Sequence, residues 1–224
     1  RFVSRLKGST DKPKVLVIGS GEKGSATNHL WDDPDIEIHG IDVYASETVD
    51  LVCDAHYIPL SNEYYDGVWI QAVLEHVVEP QKVVSEIFRV LKNSGFVYAE
   101  TPFMQQVHEG PYDFTRYSVL GHRYLFREFS MIEIGGNKGP EIVLSWAIKY
   151  FIWSITRSQK LGQLIGLLVS LILRPFRYLV SRSSMFDASS GVFFYGYKDK
   201  NAMLSHKDLI KLYEGQVRQV LNKS

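Results

Sequence analysis

Lys14-Val15-Leu16-Val17-Ile18-Gly19-Ser20-Gly21-Glu22-Lys23-Gly24 decides the fold of this chain. The apolar run before Gly19 reads as a buried strand, and the glycines after it let the backbone turn sharply and approach a ligand closely. The spacing G-x-G-x-x-G after a strand is that of a nucleotide-cofactor turn. Outward from this stretch, strand and helix alternate. A helix is expected from about Ser25 to Leu30, and a second strand over 36–41 closing on Asp42. A third follows over 51–53 and a fourth over 67–70. The third and fourth are continuous in apolar character, as in a parallel sheet covered on both faces. Pro80, Val83, Val84, Ile87, Phe88 and Leu91 recur at helical spacing, with Asn93-Ser94-Gly95 as the stop. A fifth strand over 96–99 ends at Thr101-Pro102. The sequence therefore reads as α/β, a doubly wound seven-stranded sheet, mostly parallel, with the last strand antiparallel.

The second half is less regular. Residues 119–129 read as a helix, 131–134 as the sixth strand and 192–197 as the seventh. His206 to Leu221 forms a terminal amphipathic helix through Leu209, Ile210, Tyr213, Val217 and Leu221. Before the seventh strand lies a hydrophobic helical insertion, 142–180, carrying Trp146, Phe151 and Trp153. Its uncharged run from Leu161 to Leu173 is flanked by Arg157, Lys160, Arg174 and Arg177. At ~1.5 Å per residue that run reaches about 20 Å, short of the roughly 30 Å hydrocarbon core of a bilayer, so spanning is not expected. Leu161, Leu164, Ile165, Leu168, Leu171 and Ile172 share one helical face. Two readings stand: a peripheral membrane contact with the basic residues toward headgroups, or a buried or homodimer-forming helical pair.

With 224 residues, the chain suits a single domain over 1–224, with 14–102 as the cofactor-binding half and 103–224 as the substrate-side half. Lysine plus arginine equals aspartate plus glutamate at 25 each, so no basic field points to nucleic acid. Cys53 is the only cysteine, which excludes an internal disulfide and a cysteine zinc cage and fits a cytoplasmic protein. The seven histidines show no H-x-H or H-E-x-x-H spacing, and no metal site is expected.

Three further segments carry a family resemblance. They are Asp50-Leu51-Val52-Cys53-Asp54-Ala55, Tyr65-Asp66-Gly67-Val68-Trp69-Ile70-Gln71-Ala72-Val73-Leu74-Glu75-His76, and Glu86-Ile87-Phe88-Arg89-Val90-Leu91-Lys92-Asn93-Ser94-Gly95. In this order they resemble class I S-adenosylmethionine-dependent methyltransferases. The resemblance implies that Gly19 and Gly21 pack under the methionine part of S-adenosylmethionine, that Asp42 holds its ribose, that Asp54 and Ala55 face its adenine and that Gln71 lies beside its methionine moiety. Two features depart from the family pattern: Val17 stands where an acidic residue is usual, and the third glycine falls one residue late. Glu22 is a candidate substitute for the missing carboxylate.

The segment Pro102-Phe103 through His108, Pro111 and Asp113 to Arg116-Tyr117 resembles one found in methyltransferases of cell-surface glycan and secondary-metabolite pathways. His108 is the candidate catalytic residue, taking a proton from an acceptor hydroxyl. Asp113 and Arg116 read as an ion pair that orders the loop. The expected function is methyl transfer to a small-molecule, glycan or lipid-linked acceptor. An NAD-dependent oxidoreductase also fits the glycine spacing and Asp42, although the chain has no Tyr-x-x-x-Lys pair, and a non-catalytic methyltransferase-like binding module fits the two departures.

Overall fold

The computed structural model describes residues 1–24 and 27–216. The chain opens with α1 (Phe2–Lys7) and β1 (Lys14–Ile18), followed by α2 (Asn28–Trp31), β2 (Glu37–Asp42), β3 (Leu51–Val52) and β4 (Tyr65–Gln71). Then come α3 (Pro80–Val90), β5 (Leu91–Pro102), α4 (Val119–Leu125) and β6 (Phe129–Gly136). Helices α5 (Pro140–Thr156), α6 (Gln159–Leu173) and α7 (Arg182–Ala188) lead to β7 (Gly191–Lys198) and α8 (His206–Lys211). The seven strands form one sheet in the order β3-β2-β1-β4-β5-β7-β6. The first five are parallel, and β7 runs antiparallel between β5 and β6.

The continuous apolar character of β1 has a direct cause. Leu16 and Ile18 pack with α3 residues Val83, Val84 and Ile87 on one face, while Val15 and Val17 pack with Phe2, Leu6 and Leu30 on the other. Both faces are dry, so neither parity of the strand can be polar. Helix α1 was not anticipated in the polar, basic lead of residues 1–13. Phe2 and Leu6, one turn apart, are buried, and Phe2 meets Trp69 edge-on with ring centroids 5.4 Å apart.

Several boundaries move for physical reasons. Helix α3 stops at Val90, before the Asn93-Ser94-Gly95 stop, because Leu91 is already extended and pairs with Tyr65. Residues 92–95 are the bulge that realigns β5, with Ser94 at φ 64°. Helix α4 ends at Leu125 rather than at 129, where the buried Arg123 guanidinium donates to the carbonyls of Phe126 (2.6 Å) and Phe129 (3.1 Å) and closes the turn into β6. Helix α2 begins at Asn28; Ser25, Val217 and Leu221, expected in helices, lie outside the described residues.

The insertion is an antiparallel pair, α5 against α6. Gly162 and Gly166 permit the close crossing: a Cβ at Gly162 would sit 2.7 Å from the Lys149 carbonyl, and one at Gly166 would sit 2.8 Å from Lys149 Cβ. Ile165, expected to share the apolar face, is half-buried. Leu167 takes its place outside, 58% exposed, beside Leu164, Leu168, Leu171 and Ile172. The helical rod does not stop at Leu173 but continues as 3₁₀ turns to Leu179. The stretch Gln159–Leu179, 21 residues at mean hydropathy 1.2, meets the length and composition of a membrane span, which the shorter Leu161–Leu173 run does not. Only 11% of its apolar window is buried, so it is not a core helix.

His122 is fully buried between Tyr117 and Phe126, with neither ring nitrogen hydrogen-bonded, and burial pushes its pKa down to about 3. The unfolded chain protonates this group near ~6.5 while the folded chain resists until about 3, so its contribution is intact above ~6.5 and is lost as pH falls. Between pH 7 and 5 the loss from this group is about 2 kcal/mol, at ~1.4 kcal/mol per unit below ~6.5. The pH dependence of the urea midpoint checks this: His122→Leu is expected to remove that portion of the acid sensitivity.

Candidate active site

At the carboxyl ends of β1, β2 and β4 the sheet opens into a cleft of about 620 Å³. Gly19 turns the chain out of β1 with φ 78°, its amide donating to the Ile41 carbonyl at 2.9 Å, and a Cβ there would lie 2.2 Å from Val73 Cγ2. Only glycine fits. One residue beyond Ser20, the Gly21 amide donates to Asp42 Oδ2 at 2.8 Å, and the Tyr44 amide reaches Oδ1 at 3.2 Å. Asp42 is thereby fixed at the tip of β2.

Gly19, Gly21, Asp42, Gln71 and His108 all line this cleft. Asp54 and Ala55 do not. Strand β3 ends at Val52, and the chain then turns, with Asp54 exposed and accepting from the His56 amide (2.9 Å) and ring Nδ1 (2.6 Å). Those bonds hold the Asp54 carboxyl below the usual range. Ala55 is buried in the core. Val17 and Glu22 both border the cleft, so the family's missing carboxylate position is apolar here and a nearby acid is present.

Ala72, at φ 54°, swings the chain off β4 while its amide donates to the Glu100 carbonyl at 3.0 Å. Leu74 anchors in the core and Glu75 is carried into complete burial. Both Glu75 carboxylate oxygens lack a hydrogen-bond partner, and burial raises its pKa to about 7. Glu75 Oε1 lies 3.7 Å from His76 Nε2 and 3.6 Å from His108 Nε2. The two imidazoles meet edge-on at 4.8 Å. Burial first, and then the facing His76, lower the His108 pKa, which favours the neutral, proton-accepting ring.

The loop that carries His108 is held by Arg116. Its guanidinium forks onto the Asp113 carboxylate, Nη2 donating to Oδ2 at 2.6 Å, and also donates to the carbonyls of Gln105 (3.1 Å) and Gln106 (3.2 Å). Arg116 holds the Asp113 pKa down at about 2. Asp113 in turn accepts from the His108 amide at 2.8 Å, and the Phe114 amide donates to the Glu75 carbonyl at 2.8 Å. The ion pair thus has the ordering role expected of it and ties the two loops together.

A smaller cavity of about 130 Å³ adjoins the cleft across Gln71, Ala72 and His108, with Glu75, Glu100 and Trp146 also in its wall. Through Asn137 and Lys138 it meets a third cavity of about 690 Å³ beside α6, bordered by Leu171, Arg174, Arg177 and Tyr178. Sequence reading missed Lys138 and Trp146 as site residues; the polar turn between the sixth strand and the apolar insertion was the available signal. Sequence spacing also gave no hint of one grouping of donor atoms. Glu75, His76 and His108 bring three donor atoms within 4.8 Å of one another, from two loops too far apart in sequence for a spacing motif to reveal.

A protein-family profile described as a methyltransferase domain matches residues 16–99. The structure is similar to a SAM-dependent methyltransferase from Archaeoglobus fulgidus, at 19% identity over 88% of this chain and 90% of that one, with a TM-score of 0.57. It is also similar to phosphoethanolamine N-methyltransferase 2 of Haemonchus contortus in complex with S-adenosyl-L-methionine (16% identity, 88% and 51% covered, TM-score 0.53). A third likeness is to the [4+2]-cyclase SpnF (16%, 88% and 79%, 0.51). These structures speak to the fold alone, which evidently hosts more than one chemistry. No curated protein matches the sequence.

Removing Arg116 leaves a carboxylate with only 1% of its side chain exposed and no cation beside it. Arg116→Met is expected to cost ~2–3 kcal/mol, less than the ~3–5 kcal/mol of a fully buried pair because Arg116 is a quarter exposed. Urea unfolding reads the loss; a change below ~0.5 kcal/mol would contradict the clamp.

Proposed function

We propose that this chain, whose residues 16–99 match a methyltransferase-domain profile, is an S-adenosylmethionine-dependent enzyme that methylates a hydroxyl on a lipid-linked acceptor at a membrane surface. One observation carries the reading. The cofactor cleft, the cavity walled by Glu75 and His108, and the cavity beside α6 share wall residues in turn, which places the apolar insertion next in line from the cofactor cleft.

The cleft fits S-adenosylmethionine. Gly19 and Gly21 line the cleft with backbone that packs tightly on Val73 and Asp42, and Asp42 offers a carboxylate to ribose hydroxyls. When bound, the cofactor supplies a methyl group on a positively charged sulfur, whose carbon–sulfur bond breaks with its pair left on sulfur as a bond to the acceptor oxygen forms. The chain's own work is to align the acceptor, exclude water and remove its proton. The cluster containing His108 stands where the cleft meets the acceptor cavity and takes that proton. The position of β7 weighs against the NAD-dependent reading: a dinucleotide fold of order 3-2-1-4-5-6 has no antiparallel strand between its last two.

Lys138, Arg174 and Arg177 line the outer cavities and suit an anionic group such as a phosphate. Beyond them α6 exposes Leu164, Leu168, Leu171 and Ile172, with Arg157, Lys160, Arg174 and Arg177 exposed at its ends. That distribution supports a helix lying in the headgroup boundary with its cations toward phosphates. On this reading the chain is a peripheral protein of a cytoplasmic membrane face.

Two measurements test the reading. S-adenosylhomocysteine is expected to bind the wild-type chain in calorimetry, and Asp42→Ala to weaken binding about 10- to 100-fold, the equivalent of ~1.5–3 kcal/mol for a bond to a charged group. No binding by wild type would reject the cofactor. Separately, cosedimentation with vesicles of anionic phospholipid is expected to fall at least tenfold in Leu164→Glu/Leu168→Glu/Leu171→Glu, with S-adenosylhomocysteine affinity unchanged. If the variant instead abolishes a concentration-dependent dimer and leaves vesicle binding intact, the insertion is a dimer element.

A further inference from the structure

Glu75 is the least conventional group in the fold. A fully buried carboxylate normally finds hydrogen-bond donors, yet neither of its oxygens has a fully formed hydrogen bond, and imidazole nitrogens of His108 and His76 lie 3.6 and 3.7 Å from Oε1. The protonation of those rings can be read from their other sides. His76 Nδ1 donates to the Tyr112 carbonyl at 2.8 Å, which fixes its proton there and leaves Nε2, the atom facing Glu75, with a free lone pair. His108 Nδ1 lies 3.3 Å from Asp113 Oδ2 without a hydrogen bond between them, and its Nε2 lies 3.6 Å from Glu75 Oε1.

Three potential donor atoms therefore converge, a carboxylate oxygen and two imidazole nitrogens, and the His76 ring is held from its far side by the Tyr112 carbonyl. Backing of this kind orients histidines that bind metal. We infer that Glu75 Oε1, His76 Nε2 and His108 Nε2 bind a divalent transition-metal cation of the zinc class, with the remaining coordination open toward the acceptor cavity. The donor set, two nitrogens and one oxygen, suits such an ion over magnesium or calcium, which take oxygen ligands. Bond lengths of ~2.0–2.1 Å place the ligands of a tetrahedral ion about 3.4 Å apart. The two imidazole–carboxylate separations, 3.6 and 3.7 Å, are close to this already. The widest spacing in the set is no more than 4.8 Å, so closing onto the ion takes about an ångström of ring movement.

The inference rests on the proposed acceptor reading and deepens it. A cation at this point coordinates the acceptor hydroxyl and acidifies it. The O–H bond breaks with its proton leaving to water, and the oxygen keeps the pair with which it attacks the methyl carbon. His108 is then a ligand, and the proton it was expected to accept goes to solvent.

Untagged protein, stripped with chelator, is titrated with Zn²⁺ by calorimetry. One equivalent is expected to bind at micromolar Kd or tighter. His76→Ala and His108→Ala should each weaken it at least tenfold, while His56→Ala, at the exposed Asp54 pair, should leave it unchanged. Binding of S-adenosylhomocysteine by both site variants shows that they are folded. Equal Zn²⁺ affinity in wild type and both site variants, or no binding by wild type, would overturn the site. Mg²⁺ binding with the same variant dependence would overturn the assignment to a transition metal. If Zn²⁺ binds as expected but S-adenosylhomocysteine does not bind wild type, the site stands and the methyltransferase reading fails.

Discussion

A parallel strand buried on both faces has nowhere to place a polar side chain except beyond its last hydrogen bond. Strands β1 and β4 obey this constraint closely: their central residues are apolar on both parities because α1 and α2 cover one side and α3 and α4 the other. Asp42, Gln71 and the residues after them are therefore driven to the carboxyl edge. The cleft is the place where β1, β2 and β4 run out together, and the glycine turn after β1 borders it.

What happens past that edge depends on a second layer of organisation. Glu75 would be costly to bury alone, and it is buried because Leu74 beside it fills the core and the Phe114 amide grips its carbonyl. The grip comes from the loop that Arg116 folds around itself. Core packing on one side and a single guanidinium on the other thus hold a carboxylate and two imidazoles together without those three groups bonding to each other.

Much of this was legible in the residues. The five parallel strands, the glycine turn, Asp42 and the ion pair of Asp113 with Arg116 all have local signatures, either a period of apolar residues or charges three apart. Other features had none. Phe2 and Leu6 form a turn of helix because Trp69 and Gly67 give them a surface, which only the folded sheet supplies. Asp54 reads like a cofactor ligand by order along the chain, yet the shortness of β3 lets it cap its own turn. The cluster around Glu75 is drawn from two loops and is visible only when both are placed. Ile165 and Leu167 exchanged faces because the helix settles on Gly162 and Gly166, and small residues set the seam where apolar periodicity alone does not.

The apolar insertion leaves the sheet after Gly136 and re-enters at Gly191, and Gly136 pairs with Val192 across the same ladder. Its two ends are therefore neighbours held together by strands that would pair with or without it. A segment attached in this way adds little closure entropy however long it grows, since that cost rises only logarithmically with length. The fold thus treats the whole stretch between β6 and β7 as a socket. Fittings of different size and polarity can be exchanged there while the register of β6 and β7, and the cleft at the far strands, stay as they are.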